Sequence, residues 1–193
     1  MPRFVILGAG GHARPVIEAL LAAGHGIAGL LDDAPGGPVL GQPRLGTLAM
    51  LEALAGQDLA VAVAIGHNET RLQLGARCAA LGFALPPVLH PAALLSPSAR
   101  IEAGAQVMAR AVVGPEAHVG RLALVNTGAI VEHECTLDEG AHLGPGAVLC
   151  GGVRVGAAAL IGAGAVVRPG LAVGAGALVA AGAAVAEAVP QGA

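Results

Sequence analysis

VMARAVVGPEAHVGRLALV, residues Val107 to Val125, carries an aliphatic residue at every sixth position, and the pattern runs outward from it in both directions. Toward the N-terminus it reaches Ile101, Leu95 and Leu89. Toward the C-terminus it continues through Val131, Leu137, Leu143, Leu149, Val155, Ile161, Val167, Val173, Val179 and Val185. If half of all residues were aliphatic, such a run would arise by chance roughly once in 10^5 trials. Four residues after each of these positions stands a small residue, Ala in most hexads and Cys at 135, with Val153, Leu171 and the terminal Val189 as departures. A glycine often follows the aliphatic residue directly, as at Gly114, Gly120, Gly144 and Gly162. A period of six belongs neither to a helix nor to an ordinary strand; it predicts a flat-sided parallel β-helix. The aliphatic residue points inward at mid-side, the small residue fits the inside of a corner, and glycine near corners tolerates positive φ. Three hexads make one triangular coil of about 18 residues, and coils stack at about 4.8 Å.

Composition agrees. The 193 residues contain only two aromatics, Phe4 and Phe83, so the core must come from many small aliphatic side chains. The 31 glycines belong to the repeat and do not signal disorder. Mean hydropathy is +0.73 for the same reason, and membrane insertion is not expected. Net charge is −3 with no basic run, which excludes a nucleic-acid-binding reading. Cys78, Cys135 and Cys150 form no CxxC pair. They are expected as small buried hydrophobes in a reducing cytoplasm, not as metal ligands. The start, Met-Pro-Arg-Phe-Val-Ile-Leu-Gly, does not read as a signal peptide.

Ahead of the repeat the pattern changes. Residues 3–8 read as a buried parallel strand, and Gly8-Ala9-Gly10-Gly11-His12-Ala13 opens a helix with Pro15 in its first turn. Val16, Ile17, Leu20 and Leu21 form that helix's apolar face. Ile27 to Leu31 is a second strand closed by Asp32-Asp33, Pro35 to Pro43 a loop, Thr47 to Leu54 a short helix, and Leu59 to Ile65 a third strand. Asn68 can cap a further helix. Alternating strands and helices predict a small parallel α/β sheet, about half of a Rossmann unit, over residues 1–86, with the β-helix over 87–193. Gly8-x-Gly10-x-x-Ala13 before an acidic pair fits an anion-binding strand–helix turn. The bland alternative is a tight turn and nothing more. A nicotinamide cofactor is disfavoured because the second mononucleotide-binding half is missing.

One stretch departs from the Ala-Gly background: Val125-Asn126-Thr127-Gly128-Ala129-Ile130-Val131-Glu132-His133-Glu134-Cys135, followed by Ala141-His142-Leu143-Gly144. It places histidines and acids where a coil needs none, and a His beside a carboxylate suits a general base.

With GAGGHA, the Asp32-Asp33 pair, His90-Pro91, NTGAIVEHE and the His142 segment, the chain resembles the NeuD/PglD-type bacterial sugar acetyltransferases along nearly its whole length. These are hexapeptide-repeat enzymes with a left-handed parallel β-helix, and the handedness is taken from that resemblance. The resemblance implies a cytoplasmic homotrimer that moves acetyl from acetyl-CoA to a sugar amine or hydroxyl, and the 18-residue register, which sends His133 and His142 to different corners, predicts active sites between its chains. It implies His133 as the base, Glu134 raising its basicity, and Asn126 among the catalytic residues. His142 would contact acetyl-CoA, with Ala163 and Ala181 along the same edge. Gly10, Gly11, His12, Asp32 and Asp33 would hold the nucleotide sugar, a UDP-4-amino-sugar being favoured. His67 departs from the acid that relatives often carry at its position. The alternatives are a sialic acid or other sugar O-acetyltransferase, an inactive nucleotide-sugar-binding protein, and a β-helix zinc hydratase using His118, His133 and His142. His25, His67 and His90 are expected in loops or turns and His118 on the surface.

Overall fold

The structure is a computed structural model and describes residues 3–193, so the first two residues of the 1–86 unit lie outside it. Four parallel strands, β1 (Arg3–Leu7), β2 (Gly26–Leu31), β3 (Arg44–Gly46) and β4 (Ala60–Val63), form a sheet in the order β3-β2-β1-β4. Both faces of β1 are apolar because both are covered. Phe4 and Ile6 pack with α1 (Ala13–Ala22), while Val5 and Leu7 pack with α2 (Leu51–Leu54) and α3 (Asn68–Ala80). Three expectations are corrected here. A third strand, β3, follows the 35–43 loop; it is a three-residue edge strand, too short to show a period. Leu21 leaves the apolar face of α1 and is 46% exposed. The cap of α3 is His67, which accepts from the Thr70 N–H, and not Asn68, whose side chain instead donates to Ala158 O at 2.7 Å.

From Val88 onward, two-residue strands recur every six residues and pair in parallel with those 18 residues away, as Leu124 does with Gln106 and His142. The first side of the prism runs from Val88–Leu89 through Gln106–Val107, Leu124–Val125, His142–Leu143 and Leu160–Ile161 to Leu178–Val179. The second side runs from Leu94–Leu95 to Ala184–Val185, and the third from Arg100–Ile101 to Ala172–Val173. The inward aliphatics from Val107 to Val179 and the corner alanines make one continuous core. Burying each aliphatic contributes about 1.5–3 kcal/mol. Leu89, Leu95, Ile101 and Val185, in the end coils, are only partly covered.

Glycine plays two separate parts in the hexad. The left-handed φ falls three residues after the aliphatic position, at Gly104, Gly128, Gly140 and Gly146 for example. The glycine directly after the aliphatic residue is there for a different reason than the positive φ expected of it. A Cβ on Gly144 would lie 2.7 Å from the Ala163 amide nitrogen, so the next coil leaves no room for one.

The sheet and the prism meet along the first side, where Val88, Met108 and Leu124 join the cluster of α1 and β4. The polar centre of this junction is Arg71 of α3, which is fully buried. Its five N–H groups donate to Leu122 O, Ile65 O, Gly66 O, Asn68 Oδ1 and Gly140 O. A guanidinium can serve these acceptors at once; an ammonium has only three donors on one atom. Arg71→Lys should therefore leave at least two carbonyls unpaired and destabilise the protein by about 2 kcal/mol or more, read as a lowered midpoint in chemical denaturation.

Candidate active site

The outward positions of the first side are covered by the α/β unit as far as Leu124, and His142 is the first to emerge, half-buried. Opposite it lies the turn after β1. Gly8 there has φ +102, and a Cβ on it would stand 2.6 Å from Ile65 Cδ1, so tight packing accounts for that glycine. Gly10 and Gly11 differ: a Cβ on either would meet nothing within 4 Å. Packing does not require them to be glycine, and the space in front of them is open to a ligand. Asp32 holds the turn by accepting from Ala9 N–H at 2.6 Å and from Ala34 N–H at 2.7 Å. Asp33 accepts from Leu48 N–H at 2.8 Å. Both carboxylates thus serve the backbone.

His12 turns onto the prism, its Nε2 2.8 Å from Gln106 Oε1. Burial lowers its pKa and the Arg71 charge acts in the same direction, against the raising effect of Gln106. His142 is pushed further, to about 4, by burial first, then by Arg71 and His12, with a backbone hydrogen bond at Gly66 opposing. Asn126 accepts from Thr127 N–H through Oδ1 at 2.8 Å, which leaves its Nδ2 facing His142 Nε2 at 3.4 Å. Beyond His142, a cavity of about 240 Å³ opens between Gly66, His67 and Asn68 at the start of α3 and Leu160, Ala177 and Leu178 of the prism.

His133 is elsewhere, on the corner between the second and third sides, and is exposed. Its Nδ1 lies 3.0 Å from Glu134 Oε2. Glu134 occupies the left-handed hexad position at φ +58, which carries its carboxylate back to the preceding ring. One coil on is Gly151; a Cβ there would sit 2.4 Å from His133 Nε2 and Cε1, so glycine leaves the imidazole its place. Ala163 and Ala181 stack one coil apart on the corner between the first and second sides, tied by Gly182 N–H to Ala163 O at 2.8 Å, and both are exposed.

The structure thus sets His12, with Gly10 and Gly11 beside it in the turn, against Gln106 on the same side of the prism as His142, whose neighbour is Asn126, and puts His133 with Glu134 across the second side from Ala163 and Ala181. His118 lies on the third side, paired with Glu102 at 2.8 Å. Among the described residues no three His, Cys, Asp or Glu side chains converge on a metal site, and no helix is long and apolar enough to cross a membrane. Sequence reading missed Gln106, Arg71 and Gly151. Gln106 stands out in hindsight as a polar residue between the aliphatic Val88 and Leu124 on its side of the prism.

Residues 3–77 match the PglD N-terminal domain family. The acetyltransferase domain of PglB from Neisseria gonorrhoeae FA1090, solved in complex with acetyl coenzyme A, is 41% identical. Its TM-score is 0.96, over 98% of this chain and 93% of that one. PerB from Caulobacter crescentus, solved with CoA and GDP-perosamine, is 43% identical with a TM-score of 0.94, over 99% and 91%. WeeI from Acinetobacter baumannii AYE, at 22% identity and TM-score 0.89 over 98% and 94%, shares the fold. No curated protein sequence matches.

His142 gives a pH test. Unfolded, its imidazole titrates near 6.5, and folded near 4. Between these values the unfolded chain binds the extra proton, so stability rises with pH through that window and is lost as pH falls through it. His12, shifted in the same direction, adds to the slope. Denaturation midpoints should fall as pH drops below about 6.5, and His142→Asn should flatten that fall. An unchanged slope would contradict the burial of this ring.

Proposed function

We propose, since the chain belongs to the NeuD/PglD-type family of bacterial sugar acetyltransferases with their half-Rossmann unit and left-handed β-helix, that it moves acetyl from acetyl-CoA to an amino group of a nucleotide-linked sugar. The observation that carries this is the His133–Glu134 pair on a corner kept clear by Gly151. The carboxylate can only accept, so the neutral ring that acts as base holds its proton on Nδ1 and presents Nε2 bare. The acceptor amine attacks the thioester carbonyl, Nε2 takes the amine proton, the C–S bond breaks, and the proton passes to the leaving thiolate. Acetyl-CoA lies along the Ala163/Ala181 corner beside His142, and the nucleotide sugar rests on Gly10, Gly11, His12 and the Asp32-Asp33 turn. No step needs a metal. A relative solved with GDP-perosamine supports the nucleotide-sugar class; the UDP-4-amino-sugar favoured from sequence and its GDP counterpart are the two acceptors to assay.

Catalysis takes place in a homotrimer in the cytoplasm. The outward residues of the second side, Leu94, Val112, Ile130, Val148, Val166 and Ala184, form an unbroken apolar stripe, with Leu94 68% and Val166 40% exposed. A threefold axis facing that side buries the stripe. It also brings one chain's His133 corner against its neighbour's Ala163/Ala181 corner.

In a CoA-release assay with acetyl-CoA and the amino-sugar panel, His133→Ala should lower kcat by about 10²–10⁴ while leaving the fold and assembly intact. Near-normal turnover would remove His133 as the base. For the shared site, His133→Ala and His142→Ala chains, each inactive alone, are unfolded, mixed and refolded. Mixed trimers should regain activity, because some interfaces then hold both wild-type histidines. Mixed trimers that form and stay inactive would place the whole site in one chain.

A further inference from the structure

Gln106 stands at an outward position of the first side, in line with Val88 and Leu124, yet it is fully buried and both ends of its amide are engaged. Its Nε2 donates to Val63 O at 2.7 Å, and its Oε1 is 2.8 Å from His12 Nε2. Turned over, the amide would set oxygen against the Val63 carbonyl, two acceptors with no proton between them. Oε1 therefore faces the imidazole and accepts, so His12 Nε2 is the protonated nitrogen. Burial and the Arg71 charge disfavour a second proton on the ring. Nδ1 is left bare. It has no hydrogen-bond partner among the described residues and, unlike His25 Nδ1, is not sealed from solvent.

A bare imidazole nitrogen accepts a hydrogen bond and cannot donate one. That makes it a poor contact for an ionised phosphate, which offers only acceptors, and a good one for a hydroxyl or an amine. Donors for phosphate stand beside it: the Gly10 and Gly11 N–H groups just ahead of α1 bond to no backbone acceptor among the described residues, and both glycines are exposed.

We propose that Gln106 is a positioning residue that fixes the Nε2–H tautomer of His12, so that Nδ1 accepts from a hydroxyl or amine of the sugar while the Gly10–Gly11 backbone meets the diphosphate. This rests on the nucleotide-sugar reading above. It divides the turn into a phosphate-facing half and a sugar-facing half, and makes His12 a discriminator of the sugar.

Two measurements test it on the full chain. In 15N spectra of the imidazoles, with His12 assigned by its loss in His12→Ala, the Nε2 resonance should be of the protonated type and the Nδ1 resonance of the bare type. The reverse pattern overturns the proposal. Calorimetric titration then compares UDP and GDP alone with UDP- and GDP-linked amino sugars. In His12→Ala the free nucleoside diphosphates should keep their Kd within about twofold, and the sugar-bearing ligand should lose about five- to tenfold, the size of one hydrogen bond. Equal losses for both would put His12 on the phosphate and overturn the proposal while leaving the nucleotide-sugar reading intact. An unchanged Kd for the sugar-bearing ligand overturns it as well. A wild-type chain that binds neither kind of ligand overturns both.

Discussion

The parallel hydrogen bonds between coils are the constraint on which the rest depends. Each coil is joined to the next by backbone bonds of about 2.8–3.1 Å, as at Leu124 N to Ala141 O and Asn126 N to Leu143 O. They hold a strict 18-residue register from Val88 to Val185. Within that register, a residue's number fixes its side or corner and its height. Side chains far apart in sequence become stacked neighbours, as His133 does with Gly151, and side chains nine apart, as His133 and His142, are sent to different parts of the prism. A rigid scaffold of this kind suits group transfer between two large substrates, because it fixes each binding edge independently of the other.

The α/β unit is held to this scaffold by apolar packing and one buried cation. Arg71 has no carboxylate among its hydrogen-bond partners; carbonyls and one amide oxygen satisfy it instead, and burial brings its pKa down to about 10. Its charge is felt at His12 and His142, and in both it opposes protonation. The same residue therefore fixes the geometry of the cleft and helps keep its two histidines neutral. Neutral rings offer one donor and one acceptor each, which suits recognition of uncharged groups better than charge pairing.

The period of six made the prism legible in the sequence, because each coil repeats the same inward demand. The glycine turn, His133-Glu134 and His142 were legible because they break a bland background. What stayed hidden depends on contacts between the two parts. Gln106 is one polar letter in the hexad pattern, and nothing local shows that it meets Val63 and His12. Arg71 sits on a largely polar helix where a surface cation would look the same. Even Asn68, a good capping residue by type, yields the cap to His67 because its amide is drawn away to Ala158 and Arg71. β3 escaped notice for a simpler reason: three residues carry no period.

The left-handed hexad position shows how the scaffold accommodates function. Glycine fills it at most coils, which is the unstrained choice. Where the chain departs from glycine it accepts a cost of about 1 kcal/mol or more per residue. Leu122, at φ +54, spends that strain on packing: it fills the space beside Gly75 of α3 and belongs to the cluster that seals the junction. Glu134, at φ +58, packs against nothing comparable and is exposed. Its return is the contact with His133 Nδ1, made by the carboxylate of the very next residue. The strain at Leu122 thus has a structural reason and the strain at Glu134 a chemical one. Arg110, Glu116 and Ala158 take the same φ with no imidazole contact, so it is the turn and the His133 contact together that set this corner apart.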